Sequence, residues 1–168
     1  ADAVLPLASI TKLMTTLVAS ELMSEEKTIT VPAAAAKQQS SSGLTAGEKL
    51  SHASLSEFAL LASSNDAAYS LAAAAGSLLT DDGNNLSTFV EAMNITAEEL
   101  GLSTLKFYNA TGLDRSATEA GAYGSARDVS FLLEHILTHN PELLQATTES
   151  SELIYNTAGA YHEAENTN

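Results

Sequence analysis

Apolar residues recur at three-and-four spacing through most of this chain. Ile10, Leu13, Met14, Leu17, Val18 and Leu22 fall on one helical face. Ser9 stands just ahead of them, where an N-cap or first-turn residue belongs. Glu25 to Lys27 closes this element, and β-branched alternation over Thr28 to Val31 predicts a short strand that Pro32 ends. Leu55, Phe58, Ala59 and Ala62 mark a second helix, and Ala67, Ala68, Leu71, Ala72 and Ala75 a third, ended by Gly76. Asp81-Asp82-Gly83-Asn84 reads as a turn. Phe89, Val90, Met93, Ala97 and Leu100 make a fourth helix, stopped at Gly101 by a left-handed cap. Leu102 to Arg115 reads as extended and turning around Thr111-Gly112. Val129, Leu132, Leu133, Ile136 and Leu137 make a fifth helix, and Asn140-Pro141 breaks it and starts a short sixth. Residues 33–54 read as loop, with Ser40-Ser41-Ser42-Gly43 and Gly47 as breakers, and the tail from Thr157 to Asn168 is polar and acidic. The expectation is a mainly α chain without repeats or linkers. Such helices pack either as a bundle or as one lobe of an α/β fold whose sheet comes from other residues.

Composition narrows the function classes. A length of 168 residues suits one domain or a large part of one. The apolar content is mostly Ala and Leu, which favour helix. Seven basic against 21 acidic residues, a net charge of −14, leave no basic face for a nucleic acid or an anionic membrane. Absence of cysteine excludes disulfides, thiolate metal sites and a Cys nucleophile. No apolar run approaches the ~20 residues of a membrane span. Ala1 to Ala8 lacks the basic and apolar regions of a signal peptide, which leaves a mature or trimmed form of a secreted protein open.

Two short arrangements carry chemistry. Ser9-Ile10-Thr11-Lys12 is an S-x-x-K pattern. On a helix, positions three apart share a face, so the Lys12 amine can reach the Ser9 hydroxyl. A serine hydroxyl needs a base to become a useful nucleophile, and a lysine serves once burial leaves its amine neutral. Backbone N–H groups at a helix N-terminus can stabilise a developing oxyanion. The same pattern at Ser24 to Lys27 and Ser103 to Lys106 falls at a helix end and in an extended segment, and is read as surface pairing. Ser63-Ser64-Asn65 is an S-x-N arrangement between two apolar helices. Either it is an ordinary helix cap, or its hydroxyl relays a proton from Lys12 while Asn65 holds Lys12 or a substrate amide.

The surroundings of these residues resemble one family. Pro6 to Thr15 resembles the nucleophile segment of the low-molecular-mass D-alanyl-D-alanine carboxypeptidases, the S11 serine peptidases. Leu60 to Ala68, around Ser63-Ser64-Asn65, is similar to that family's second motif. Gly43 to Glu48, Phe89 to Leu102 around Met93-Asn94, Asn109-Ala110-Thr111-Gly112-Leu113 and Tyr123 to Asp128 match further segments in family order. The resemblance implies the helical lobe of the serine β-lactamase/DD-peptidase-like α/β fold, with most of the sheet missing, as a single incomplete domain over residues 1–168. It implies a hydrolase that cleaves the terminal D-Ala from peptidoglycan stem peptides through an acyl-serine, and that penicillins trap. In it Ser9 attacks, Lys12 is general base, Ser63 relays protons and Asn65 positions substrate and Lys12. No metal or organic cofactor is implied, and the location is extracytoplasmic.

The family's third motif, K-T-G, is absent: no lysine precedes Thr-Gly in these residues. The expectation is therefore a fragment that is nearly inactive alone, with an apolar helical face left uncovered and prone to self-association. Two rivals are a serine β-lactamase and a catalytically dead scaffold of the cell envelope. His135 and His139 have a zinc-compatible spacing, but Ile136 stands where a metalloprotease has its Glu, so they are read as two histidines near a helix C-terminus, a position its dipole favours. Asp81 to Asn84 lacks the ligand spacing of a calcium loop, and Glu163 and Glu165 are read as solvated tail charges.

Overall fold

In the computed structural model, which describes residues 1–167, the elements run β1 (Val4–Pro6), α1 (Thr11–Leu22), β2 (Thr28–Thr30), β3 (Lys49–Ser51), α2 (His52–Leu61), α3 (Asn65–Leu79), α4 (Asn85–Glu99), β4 (Lys106–Phe107), β5 (Ala122–Ser125), α5 (Ala126–His139), β6 (Ser151–Tyr155) and β7 (Tyr161–Glu165). The described residues are mainly α with three small antiparallel sheets, in the orders β1-β5-β4, β2-β3 and β6-β7. Leu5 pairs with Gly124, Lys106 with Tyr123, Ile29 with Leu50, and Leu153 with Glu163.

Helix α1 is the hub. Met14, Leu17, Val18 and Ala19 are buried together with the polar Thr11, Lys12, Thr15 and Thr16. A helix enclosed on most sides carries polar groups inward, and three of these four are bonded: Lys12 to the Thr111 carbonyl at 2.9 Å, Thr16 Oγ1 to the Lys12 carbonyl at 2.9 Å and Thr15 Oγ1 to the Ala110 carbonyl at 2.7 Å, while the Thr11 hydroxyl is buried without a partner among the described residues. Ile10, assigned to the buried stripe by its spacing, lies instead in a 3-10 turn ahead of α1 and is 44% exposed. Alanines 67, 68, 72 and 75 of α3 are fully buried, and their small side chains bring α1, α2 and α4 close.

Helix α3 does not end at Gly76 but runs through it to Leu79. A Cβ at Gly76 would sit 2.0 Å from the Asn85 carbonyl oxygen, so this glycine admits the first turn of α4 rather than stopping a helix. Gly101 does act as a cap, at φ +72. Its N–H bonds the Glu98 carbonyl at 3.0 Å and the Leu102 N–H bonds Ala97 at 2.8 Å, the paired closure of a Schellman motif. The acidic tail is ordered as the β6-β7 hairpin. Each strand turns one apolar side chain inward, Ile154 and Ala164, while Glu163 and Glu165 stay exposed. One inward residue per strand leaves too little alternation to predict a strand. The hairpin is also held by Glu48, whose Oε1 lies 2.7 Å from His162 Nε2 and accepts Asn156 Nδ2 at 2.9 Å.

Candidate active site

Ser9 and Ser63 meet where two backbone turns approach each other. Ser9 lies in the 3-10 turn Ala8–Ile10, with Ala8 at φ +47, and α1 begins two residues later. Ser63 follows α2 and has φ +55. Left-handed backbone at non-glycine residues costs of order 1 kcal/mol or more and collects at functional sites. In the S-S-N segment the capping task falls to Ser64, whose Oγ accepts the Ala67 N–H at 3.0 Å and donates to buried Asp66. That leaves Ser63 free of the cap, and its hydroxyl donates to Ser9 Oγ at 2.7 Å.

Lys12 completes the arrangement one helical turn on. Its Nζ lies 3.1 Å from Ser9 Oγ and 2.9 Å from the Thr111 carbonyl oxygen. The side chain is 1% exposed, and burial lowers its pKa from the ordinary 10.5 to about 8. A lysine in this range gives up its proton near neutrality, as a general base must. Asn65, the first residue of α3, sends its amide nitrogen to the Gln39 carbonyl at 2.9 Å. The hydrogen bonds of Lys12 therefore run to Ser9 and Thr111, not to Asn65. Beside the three groups opens a cavity of about 400 Å³ lined by Ser9, Lys12 and Ser63 with Ile10, Leu13, Leu60, Leu133 and Leu144.

Two contacts that sequence reasoning did not assign fix this geometry. One is the Thr111 carbonyl, the second partner of Lys12. The other is Gly112, at φ +82, where a Cβ would stand 1.9 Å from the Ala8 carbonyl oxygen. Both lie in the matched segment Asn109 to Leu113, so the signal was in hand, but a backbone carbonyl leaves no side-chain trace.

The other candidates lie apart. The His135 and His139 rings stack at 4.3 Å, and among the described residues no group of three or more His, Asp or Glu is arranged to hold a metal ion. In Asp81 to Asn84, Asp82 Oδ1 accepts the Asn84 N–H at 2.9 Å, closing a turn. Among the described residues no helix is long and apolar enough to cross a membrane.

The sequence model of the D-alanyl-D-alanine carboxypeptidase family, peptidase S11, matches residues 1–168. The curated D-alanyl-D-alanine carboxypeptidase DacF of Bacillus subtilis is 32% identical over 138 residues, covering 79% of this chain and 33% of that protein. Penicillin-binding protein 6B of Escherichia coli is 29% identical with a TM-score of 0.79, over 99% of this chain and 51% of that one. Penicillin-binding protein D2 of Listeria monocytogenes, solved in an ampicillin-bound form, is 28% identical with a TM-score of 0.73, over 99% of this chain and 64% of that one. The chain thus spans a third of the curated relative's length.

Proposed function

Since the chain belongs to the D-alanyl-D-alanine carboxypeptidase family, we propose that it carries the nucleophile, base and proton relay of a serine peptidase that removes the terminal D-alanine from peptidoglycan stem peptides. The observation that carries this reading is the continuous contact Lys12–Ser9–Ser63, at 3.1 and 2.7 Å. These distances lie within the reach that proton transfer needs. With the Lys12 pKa near 8, about a tenth of the amine is neutral at pH 7. The neutral amine takes the Ser9 proton as Ser9 Oγ bonds to the carbonyl carbon of the penultimate D-alanine. The proton then passes through Ser63 to the nitrogen of the departing D-alanine, whose bond to that carbon breaks. Water, deprotonated by the same route, frees the acyl-serine. A β-lactam enters by the same attack and stays attached, because its leaving nitrogen remains tethered in the acyl product. Asn65, held by the Gln39 carbonyl through its nitrogen, has its amide oxygen for the substrate. Such a substrate places the protein on the extracytoplasmic side of the membrane.

The 168 residues contain no K-T-G. Loss of one oxyanion donor costs roughly 100- to 1,000-fold in rate, so slow turnover is expected of these residues alone. The test is D-alanine release from an acyl peptide ending in D-Ala-D-Ala. Slow release that Ser9→Ala abolishes supports the reading, and release that survives Ser9→Ala refutes it. Rapid, repeated hydrolysis of benzylpenicillin would instead mark a serine β-lactamase.

A further inference from the structure

We infer that Asn109 is a positioning residue for the Lys12 base, acting through the Thr111 carbonyl that it holds against the Lys12 amine. The inference rests on the acyl-serine reading and deepens it.

A neutral primary amine has two N–H bonds and one lone pair. To act on Ser9, the lone pair must face the Ser9 hydroxyl, and that orientation is set by whatever fixes an N–H on the other side. Here that partner is the Thr111 carbonyl at 2.9 Å, the second contact of an amine that also meets Ser9 Oγ at 3.1 Å. The base is thus oriented by a backbone oxygen in a loop, and loop carbonyls turn easily unless something holds the loop.

The Asn109 side chain holds it. Its Oδ1 accepts the Thr111 N–H at 3.2 Å, the Thr111 hydroxyl at 3.2 Å and the Gly112 N–H at 2.8 Å. Its Nδ2 donates to the Leu113 carbonyl at 2.8 Å. Four bonds from one side chain close the turn around Thr111, in the manner of an Asx turn. Oxygen and nitrogen both meet fitting partners, so only one orientation of the amide satisfies the loop. Gly121 leaves room for it, since a Cβ there would stand 2.5 Å from Asn109 Nδ2. The loop is registered on α1 as well: Thr15, one turn beyond Lys12, donates to the adjacent Ala110 carbonyl at 2.7 Å. Two side chains three apart on α1 thus meet two consecutive carbonyls of the loop. Thr15 alone fixes the height of the loop, and Asn109 fixes the direction in which the Thr111 carbonyl points.

The test compares Asn109→Ala and Asn109→Asp with wild type. Three things are followed: the rate of acylation by benzylpenicillin across pH 6 to 10, the titration of the Lys12 13Cε resonance, and thermal unfolding. Asn109→Ala frees the carbonyl, and a displacement near 1 Å costs about 100-fold, so acylation by the folded protein falls roughly 10- to 100-fold at every pH. Asn109→Asp keeps the three acceptor bonds, loses the Nδ2 bond by setting a carboxylate oxygen against the Leu113 carbonyl, and adds a negative charge near Lys12. It recovers part of the rate at high pH and moves both the pH profile and the Lys12 titration upward together. Overturning results are an Asn109→Ala protein that unfolds earlier yet acylates at the wild-type rate, or an Asn109→Asp protein that leaves both pH curves in place. Should wild type form no adduct, the acyl-serine reading fails, while the Lys12 titration in Asn109→Asp still decides whether this side chain acts on the amine.

Discussion

Replacing Lys12 with methionine separates what the site does from what it costs the fold. The lysine is 1% exposed, and burial takes its pKa from 10.5 to about 8. At about 1.4 kcal/mol per pH unit, this corresponds to a penalty of about 3 kcal/mol for holding the ammonium form at pH 7. Methionine has similar length and carries no charge, so Lys12→Met removes the penalty. It also leaves the Thr111 carbonyl without its donor, which costs about 1–3 kcal/mol. The variant is therefore expected to lie between no change and about 2 kcal/mol more stable at pH 7, a rise of up to about 6 °C in Tm. The pH dependence fixes the cause. Between pH 8 and 10.5 the unfolded chain keeps the Lys12 proton and the folded one does not, so this group makes wild-type stability rise with pH over that window. Lys12→Met lacks that contribution, and at pH 10 it becomes the less stable of the two. Urea denaturation at pH 7 and pH 10 measures both values, and acylation by benzylpenicillin is lost in the variant throughout. A variant that loses more than 2 kcal/mol at pH 7 and follows the wild-type pH slope would refute the claim that the fold strains to bury this base.

Three further substitutions probe the frame around the site. Gly112→Ala puts a Cβ 1.9 Å from the Ala8 carbonyl oxygen at φ +82; it should lower urea stability by about 2 kcal/mol or more and slow acylation by displacing the nucleophile turn. Gly76→Ala meets the Asn85 carbonyl oxygen at 2.0 Å; it should cost a similar amount by parting α3 from α4, yet leave the acylation rate of the folded protein unchanged. For Glu48, burial alone would raise the pKa, but hydrogen bonds from Thr45, His162 and Asn156 together with the His162 charge hold it well below the ordinary 4.5. A carboxylate depressed in the folded state stabilises above its unfolded pKa and loses that contribution as pH falls toward the folded one. Glu48→Gln should therefore lower the Tm at pH 7, and the gap to wild type should narrow progressively below about pH 4.5.

The parts of the fold that were legible in the sequence are those in which many side chains repeat one signal. Helices α2 to α5 each carry several apolar residues at helical spacing, and all lie close to where that spacing puts them. Gly101 was readable as a cap because a glycine directly after an apolar helix has a strong local meaning. Gly76 offered the same local signal and meant something else, since its role is set by the approach of Asn85 from another helix. The β6-β7 hairpin was hidden because its hold on the rest of the molecule comes from two inward side chains, from the Glu48 pair and from the Thr157 N–H on the Lys49 carbonyl, partners over a hundred residues away in sequence. In the site, Ser9, Lys12 and Ser63 could be named from short motifs, and the structure brings their side chains together. The partner of Asn65 and the second partner of Lys12 are both backbone carbonyls, at Gln39 and Thr111. Sequence spacing carries no information about where a carbonyl points, so these contacts emerge only from the fold.

The most direct test of the central claim is the intact mass of the protein after incubation with benzylpenicillin, with Ser9→Ala alongside. Activation of Ser9 by Lys12 predicts slow addition of one drug mass to the wild type and none to Ser9→Ala. An adduct that persists in Ser9→Ala, or no adduct on either protein after prolonged incubation at pH 8 and above, would contradict it.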